Sequence, residues 1–361
     1  MAEVSADVQV VDHEELQGNV ARLFQHVGAP PDQAAGIAEV LVAADLRGVE
    51  SHGVNFAPRY VRGMAQGLIN ARPALSFVSQ RGAVAVLDAD NGLGFVSARR
   101  AMDEAIALAA VHGIGAVTVR NSNHFGMAAF YAMQALESGM IGHATTDGPP
   151  HTVLWGVRRP IVSNDPIAWA FPTATPPAIV VDTALTGVKE KIRLAAARGE
   201  SIPADWAVDD EGVPTTDAVR ALAGALLPIG GHKGAALIVA GELLCGALAG
   251  ARFSPEISPA IVQGASAHDR WNCGHFLLAL DPAAFGDRAQ FARRADEFAA
   301  MVRGAEPAAG FDRVALPGEL EWERSERRRR DGLPVSVASL RQLDAVAMEV
   351  GAADGTPFVK D

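Results

Sequence analysis

The sequence predicts an α/β protein, because short apolar runs of strand length alternate with helical segments through its middle part. The runs AVAVLD (83–88) and GAVTVR (115–120), for example, flank a segment whose apolar residues recur at helical spacing. The chain has 361 residues, of which 49% are hydrophobic and 20% are charged. This length and composition allow two domains or one large unit with a substantial core.

Two amphipathic helices are predicted at the start of the chain, on either side of Pro30 and Pro31. The segment 50–60 contains Gly53 and Pro58, so it predicts a loop that carries His52, followed by a helix that begins near Pro58. The last sixty residues have helical character. Further strands are predicted at 141–146, 167–171, 178–182 and 275–281, and further helices at 98–110, 128–137, 187–198, 233–248 and 289–303.

The charge balance disfavours nucleic acid and anionic membranes as partners. The chain has 31 basic and 42 acidic residues, a formal net charge of −11.

The apolar stretch from Ala235 to Ala251 contains Glu242, and the first residues lack a basic region followed by an apolar one, so neither a membrane span nor a signal peptide is predicted. The two cysteines form no CxxC pair. We therefore expect a cytoplasmic protein that acts on a small molecule.

Several catalytic motifs are missing from the sequence. No GxGxxG follows a predicted strand, and no P-loop exists because Gly234 follows Lys233. Ser51 and His52 are adjacent but lack the GxSxG elbow of a hydrolase. The histidines show no HExxH spacing, so no metal site is predicted. A nucleotide site, if present, must be built in another way.

Two segments are candidates for binding or catalysis. In LPIGGHKG (227–234) two glycines precede Lys233 at the predicted start of a helix, where an anion such as a cofactor phosphate would be favoured. An ordinary glycine-rich helix entry is the alternative. NSNHFG (121–126) places His124 after a strand, at the edge of an α/β sheet where ligands bind, but a loop histidine is also often structural.

Eight segments in order resemble the malate/L-lactate dehydrogenase family that is unrelated to the Rossmann enzymes. That family includes ureidoglycolate, sulfolactate and diketogulonate dehydrogenases and Δ1-piperideine-2-carboxylate reductases. The segments are ADLRGVESHGV (44–54), PRYVRGMAQGLI (58–69), VRNSNHFGMAAFYA (119–132), GMIG (139–142), WAVDDEGVPTTD (206–217), LLPIGGHKG (226–234), GHFLLALDP (274–282) and LPGELEWERSERRRRDGLPV (316–335).

The resemblance implies a non-Rossmann nicotinamide-binding fold that uses NAD or NADP, in a homodimer. It implies a helical region at 1–75, a central α/β cofactor-binding domain at 76–285, and C-terminal helices at 286–361 that pack with the N-terminal region. Such an enzyme moves hydride between the nicotinamide and a 2-oxo acid or cyclic imine, and the protein supplies one proton from a group that titrates near neutrality.

The family's functional positions can be matched residue by residue. His52 matches the proton donor or acceptor, oriented by Ser51, and His124 matches the junction of cofactor and active site. Lys191 matches a position that the family fills with lysine or a carboxylate. The matched cofactor contacts are His124, Phe125, Gly126, Met127, Ala128, Asp182, Thr183, Ala184, Lys233, Arg313, Pro317, Gly318 and Glu319.

The sequence departs from the family at the expected substrate site. Relatives carry an arginine four residues after the histidine that matches His52, where this chain has Phe56, and a phenyl ring cannot clamp a carboxylate. Either the substrate lacks a carboxylate there or another cation serves, with Arg59, Arg158 and Arg159 as the candidates. Where the family has amides the chain has Asp147, beside Thr146, and Asp165, beside Asn164. These carboxylates would favour a cationic substrate.

These departures lead to one preferred hypothesis and two alternatives. The preferred one is a nicotinamide-dependent oxidoreductase with altered specificity at Phe56, whose substrate site also includes Arg59, Asp147 and Asn164. The first alternative is an ordinary malate- or lactate-type 2-hydroxy acid dehydrogenase with a relocated carboxylate site. The second is a catalytically silent binding protein on the same fold.

Overall fold

A seven-stranded mixed sheet forms the centre of the molecule. The computed structural model describes residues 8–187, 189–258, 270–352 and 357–359. In spatial order the sheet consists of β2 (Ser76–Arg81), β3 (Val84–Asp88), β4 (Ile114–Ser122), β10 (Cys273–Leu280), β5 (Ile141–Thr146), β6 (Ile167–Phe171) and β7 (Ile179–Thr183). Two small two-stranded sheets pair β1 (Val8–Val11) with β11 (Leu333–Ser336) and β8 (Ala207–Val208) with β9 (Ala225–Leu226).

Strand β10 is the middle strand of the large sheet and is antiparallel to both neighbours, β4 and β5. Cys273 is paired with Ser122, and His275 with Thr146. Strands β3 and β4 run parallel, connected by a helix as a parallel crossover requires. The first residues of β10 therefore lie beside the last residues of β4 and β5, and they bring the segments after those two strands together.

Helices cover the sheet and build a second layer. Helix α2 ends at Gly48, whose φ of 78° gives the left-handed cap that stops a helix. The helices are α1 (His13–His26), α2 (Pro31–Arg47), α3 (Ala57–Ala65), α4 (Gly94–His112), α5 (Ala128–Gln134), α6 (Lys189–Arg198), α7 (Ala218–Ala223), α8 (His232–Glu242), α9 (Arg288–Arg303), α10 (Glu319–Asp331) and α11 (Val337–Glu349).

Two main hydrophobic cores exist. One joins α1, α2 and α3 with β11 and α11, so residues from both ends of the sequence share it. The other lies between the large sheet and helices α4 and α5. Because α2 has buried residues in both cores, the turn that follows its last residue lies between the helical layer and the sheet.

The predicted α/β fold class is confirmed, and every predicted strand and helix is present. The predicted connection that carries His52 consists of two short 3-10 turns, Glu50–His52 and Val54–Phe56, and the helix expected near Pro58 begins at Ala57. One detail was wrong. The last sixty residues also contain a strand, β11, which the sequence missed because its partner β1 lies more than 300 residues away. In the part of the chain that the structure describes, no helix is long and apolar enough to cross a membrane.

Candidate active site

The turn after α2 carries His52. The His52 amide donates to the Val49 carbonyl at 2.9 Å, and the Gly53 amide donates to the Glu50 carbonyl at 3.2 Å, which closes the short 3-10 turn. Ser51 Oγ lies 3.0 Å from His52 Nδ1, within hydrogen-bond distance of the ring. The ring is half-buried and leaves its Nε2 edge for another partner.

His124 follows β4 and has a defined proton distribution. Its Nδ1 accepts a hydrogen bond from the Gly126 amide at 3.2 Å, and an amide N–H can only donate. Tyr60 Oη lies 2.7 Å from the same nitrogen and therefore also donates to it. The neutral ring must then carry its hydrogen on Nε2.

The two histidines stack on each other. Their ring centroids are 5.6 Å apart, with 16° between the planes. The ring of Phe56 stacks 6.3 Å from each of them and also 6.3 Å from Tyr60. The helical layer supplies His52, Phe56 and Tyr60, whereas the sheet supplies His124. The site thus forms where the two layers meet.

Burial keeps both histidines neutral. Desolvation lowers the pKa of His52 to about 4. The pKa of His124 is also well below its usual range because of desolvation, with the charges of His52 and Arg59 adding to the effect. The sequence predicted that the proton-transferring group has a pKa near neutrality. The pKa of His52 is lower than this prediction. Neutral rings suit the acceptance of a proton, and an anionic neighbour would be needed to hold a proton at pH 7.

Arg59 adds a half-buried positive charge beside these rings. Its guanidinium carbon lies 6.0 Å from the Phe56 ring centroid and 5.4 Å from that of Trp271. Nε is buried without a hydrogen-bond partner, and the guanidinium makes no ion pair with any residue in the described ranges. Desolvation lowers the pKa of Arg59. A half-buried guanidinium whose Nε has no partner among the described residues is a favourable place for an anionic group of a ligand.

The segment after His124 reaches strand β7. The Ala129 amide at the start of α5 donates to Asp182 Oδ2 at 3.1 Å, which ties residues 124–128 to 182–184. Desolvation raises the pKa of Asp182 to about 6, while this hydrogen bond and the charge of Arg47 oppose the rise. Two of the predicted cofactor segments thus share one edge of the site.

The third predicted cofactor segment, residues 313–319, approaches strand β7. The Val180 amide donates to the Pro317 carbonyl at 3.1 Å. A Cβ atom added at Gly318 would lie 2.9 Å from the Val180 carbonyl oxygen, so only glycine allows this approach. The side chains of this segment are engaged, since Glu319 pairs with Arg303 at 2.5 Å and Arg313 with Glu323 at 2.5 Å. Its backbone is the part that faces β7.

Lys233 stands in the first turn of α8, close to the chain that leaves β7. The Ile229 amide donates to the Leu185 carbonyl at 2.9 Å, three residues beyond Asp182. Lys233 is exposed and forms no ion pair with residues in the described segments. The space above Gly230, which has a φ of 59°, is open, because no atom lies within 4 Å of a Cβ added there. An exposed lysine and open space at the start of a helix fit the phosphates of a dinucleotide.

Other predicted residues are not brought to the histidine pair. Lys191 is exposed on α6, where its Nζ lies 5.9 Å from the Trp206 ring centroid. Asn164 accepts from Ser163 and, through its carbonyl, from the Leu185 amide. No contact of the described residues joins Lys191 or Asn164 to His52 or His124.

Asp147 and Asp165 are interior residues, 5% and 0% exposed. Asp147 Oδ1 accepts from the Gly274 amide at 2.9 Å, whereas both carboxylate oxygens of Asp165 have no partner among the described residues. Desolvation, together with the charge of Glu242, raises the pKa of both carboxyls well above the usual range. A substrate cation would have to enter the interior to reach them.

Sequence reasoning missed Asp45, Tyr60 and Arg47. Tyr60 is part of the PRY segment quoted above, but its contact with His124 links residues 64 positions apart, which no spacing in the sequence indicates. Asp45 and Arg47 lie on the last turn of α2, where a buried charge in an apolar helix is the signal that would have marked them.

The structure places a stacked histidine pair beside the segments that the sequence predicts to bind a nicotinamide cofactor, an arrangement expected of an oxidoreductase. The family model described as malate/L-lactate dehydrogenase matches residues 11–344. The chain belongs to this family. Among the described residues, no cluster of metal-binding side chains accompanies the site.

Three similar proteins illustrate the family. L-sulfolactate dehydrogenase of Methanocaldococcus jannaschii is 36% identical over 91% of this chain and 94% of its own length. A (2R)-3-sulfolactate dehydrogenase of Chromohalobacter salexigens, named for NADP+, is 36% identical over 73% of this chain and 78% of its own. Ureidoglycolate dehydrogenase of Escherichia coli K12, named for NAD+, is 30% identical over 90% of this chain and 92% of its own.

Solved structures show the same fold. Malate dehydrogenase of Pyrococcus horikoshii superposes with a TM-score of 0.88 at 32% identity, covering 97% of this chain and 98% of its own. Δ1-piperideine-2-carboxylate reductase of Pseudomonas syringae gives a TM-score of 0.84 at 29% identity, covering 94% and 100%. The chain is therefore an oxidoreductase, and its relatives are NAD+- or NADP+-dependent dehydrogenases.

Proposed function

We propose that the protein transfers hydride between NAD(H) or NADP(H) and a small 2-oxo compound or cyclic imine, with its specificity altered at Phe56. The observation that carries this proposal is the stacked pair of neutral histidines, 5.6 Å apart, next to the segments that match the cofactor site. A bound nicotinamide supplies or accepts the hydride. The chain's own residues must bind, orient and move one proton.

His52 is the proposed proton acceptor in the oxidation direction and donor in reduction. Its pKa of about 4 leaves the ring free to accept a proton from a hydroxyl at neutral pH. Ser51 holds Nδ1, so Nε2 is the nitrogen that faces the substrate. His124 is the proposed second polar group, and the Nε2–H set by Tyr60 and Gly126 donates a hydrogen bond to the substrate oxygen or nitrogen.

The cofactor is proposed to lie along the edge formed by residues 124–128, 182–184 and 317–318, with its phosphates near Lys233. The glycines support this placement, since Gly318 brings the backbone against β7 and Gly230 leaves open space at the start of α8. Asp182 is a hydrogen-bond acceptor next to this edge. Arg313, Glu319 and Lys191 belong to the proposal through the resemblance alone.

Phe56 is proposed to select an apolar substituent. Its ring covers both histidines and offers no donor for a carboxylate, which would lose its hydration there without gaining a partner. The cationic option from the sequence has weaker support, because Asp147 and Asp165 are buried.

The second candidate is an ordinary 2-hydroxy acid dehydrogenase in which Arg59 replaces the missing arginine. The unpartnered Nε of Arg59 and its position beside Phe56 support it. A carboxylate paired with Arg59 would lie next to the histidines and would help His52 to hold a proton. In this case the substrate remains an anion, but it enters on the Trp271 side of Phe56.

A nicotinamide absorbance screen tests the proposal. Carbonyl compounds and cyclic imines are supplied as matched pairs with and without a carboxylate, with NADH and NADPH in parallel. Turnover of the carboxylate-free members supports selection by Phe56, and turnover of 2-oxo acids that is lost in Arg59→Met supports the second candidate. If no compound is reduced while NAD(H) still binds, the result supports the second alternative, a catalytically silent binding protein on the same fold.

A cytoplasmic location and a homodimer are part of the same proposal. Both cysteines, Cys245 and Cys273, are buried free thiols, which is consistent with a reducing compartment. Leu237, Leu243 and Leu248 expose 48–58% of their surface in and after α8, which is consistent with an interface between two copies. Analytical ultracentrifugation tests the dimer.

A further inference from the structure

We propose that Asp45 is the positioning residue that fixes the turn carrying His52, and that its ionisation controls how firmly that turn is held. This inference rests on the proposed role of His52. Asp45 is the third residue from the end of α2, so its side chain lies seven positions before the histidine it would position.

The carboxylate of Asp45 crosses the turn. Its Oδ2 accepts a hydrogen bond from the Val54 amide at 2.8 Å. A Cβ atom added at Gly53 would lie 1.8 Å from Asp45 Oδ1 and 2.3 Å from Cγ, so the carboxylate occupies the space of a side chain at that position. The two residues that follow His52 are therefore held by one carboxylate, one through its amide and the other through direct packing.

Within the described ranges, no second hydrogen bond to the Asp45 carboxylate accompanies the one from Val54. Arg328 from α10 donates to the Asp45 carbonyl and pairs with Glu50 at 2.8 Å, so the arginine is shared between the helix end and the start of the turn. The charged groups that act on the Asp45 carboxylate are Glu50 on the 3-10 turn and Arg328 on α10, with opposite effects. The hydrogen bond from Val54 is the contact that gains most when the carboxylate is ionised, because a charged acceptor binds an amide more strongly.

Asp45 is an interior carboxyl, only 5% exposed, and this burial disfavours its charged form. Burial raises the pKa of its carboxyl to about 7, and the Val54 hydrogen bond limits the rise. As the pH increases through about 7, Asp45 becomes charged and the bond to Val54 tightens. We expect kcat/KM to rise over this interval, separately from the protonation of His52 at lower pH.

Two variants of Asp45 separate position from charge. Asp45→Asn keeps a neutral oxygen that can accept from Val54 but does not titrate, so the step near pH 7 disappears and kcat/KM stays near the level of the wild type below that step. Asp45→Ala removes the acceptor, so kcat falls by about 10²-fold, the effect of a misplaced catalytic group, while the Kd of NADH or NADPH stays the same. Asp281→Asn is the matched control, because Asp281 caps a turn at the opposite end of β10, where it accepts from the Ala283 amide at 2.9 Å.

A second measurement does not need turnover. With ¹⁵N-histidine labelling, the ring resonances of His52 are expected to move with an apparent pKa near 7 in the wild type and to lose that step in Asp45→Asn. If the wild type reduces no substrate, the proposed function fails, but this spectrum still tests the contact. The inference is overturned if the step persists in Asp45→Asn, or if folded Asp45→Ala keeps the wild-type kcat. Should Asp45→Ala fail to fold, the Asp45→Asn profile decides alone.

Discussion

The hydroxyl of Tyr60 donates a hydrogen bond of 2.7 Å to Nδ1 of His124. This contact joins the helical layer to the sheet at the site, because Tyr60 belongs to α3 and His124 follows β4. The Gly126 amide, two residues from His124, already keeps the hydrogen off Nδ1, and Tyr60 adds a second donor to the same nitrogen. Local backbone geometry thus sets the proton distribution of the ring, and tertiary packing reinforces it.

Replacing Tyr60 by phenylalanine removes this donor and leaves the Gly126 amide as the remaining partner of Nδ1. The loss of one hydrogen bond of about 1.4 kcal/mol corresponds to about a tenfold lower kcat/KM. The stacking with Phe56 and the edge contact with Phe95, 5.3 Å between centroids, are retained by the phenyl ring. Steady-state kinetics measure the change, and a Tyr60→Phe enzyme as active as the wild type would show that His124 needs no second donor.

His52→Ala is expected to reduce kcat by about 10²- to 10⁴-fold, the usual contribution of a positioned acid or base. Cofactor affinity should change little, because His52 touches the proposed cofactor segments through its stacking on the His124 ring alone and donates no hydrogen bond to them. In the oxidation direction the wild-type kcat/KM should be lost as the pH falls through about 4, where His52 becomes protonated. Stopped-flow measurement of hydride transfer gives the rate, and nearly intact activity would move the proton role to His124 or water.

Lys233→Ala is expected to weaken cofactor binding by about 1.5–3 kcal/mol, since a charge-assisted contact with a phosphate is lost. This corresponds to a Kd for NADH or NADPH roughly 10- to 100-fold higher. Arg198→Ala removes one exposed positive charge on α6 and is the control for a general electrostatic effect. Fluorescence titration measures the Kd of NADH or NADPH. Equal Kd values for the wild type and Lys233→Ala would place the lysine outside the cofactor site.

Phe56→Arg is expected to gain activity toward small 2-oxo acids such as pyruvate and to lose activity toward the carboxylate-free substrate. The new guanidinium can form two hydrogen bonds to a carboxylate, while it repels or fails to pack against an apolar group. Phe56→Leu is the control, because it replaces the aromatic ring by a smaller apolar side chain without adding a charge. Brisk reduction of malate-like or lactate-like 2-oxo acids by the wild type would contradict the altered specificity and favour Arg59 as the carboxylate site.

Asp165→Asn is expected to stabilise the protein, and more at pH 8 than at pH 4. The folded protein raises the pKa of Asp165 above its unfolded value, so the folded state is penalised as the pH rises above the unfolded pKa. Removing a buried carboxylate without partners relieves a cost of about 1–3 kcal/mol. Asp281→Asn is expected to destabilise the protein, and more at pH 8 than at pH 4. Arg288 lowers the pKa of Asp281, so the ionised carboxylate stabilises the folded state at high pH. Thermal unfolding at both pH values measures this, and an equal gain at pH 4 and pH 8 would contradict the titration of Asp165.

Much of the sheet could be predicted from the sequence. Strands such as Ile141–Thr146 and Ile167–Phe171 are short apolar runs between turn residues, so the signal for them is local. Strands β1 and β11 could not be predicted, because Val8 pairs with Ser336 across almost the whole sequence. Their pairing depends on the packing of the two chain ends and not on the residues of either strand.

By itself the sequence determined the α/β class, the positions of the helices and the residue types of the site, since hydrophobic periodicity and the SHG, NSNHFG and GGHKG segments are local properties. Only the tertiary structure decided that His52 stacks on His124, that Tyr60 donates to Nδ1 of that ring, and that the Asp45 carboxylate packs against the turn. It also decided that Asp147 and Asp165 lie in the interior, where desolvation raises their pKa values. These features depend on distances and burial between residues far apart in the chain, and those quantities exist only after the layers have packed.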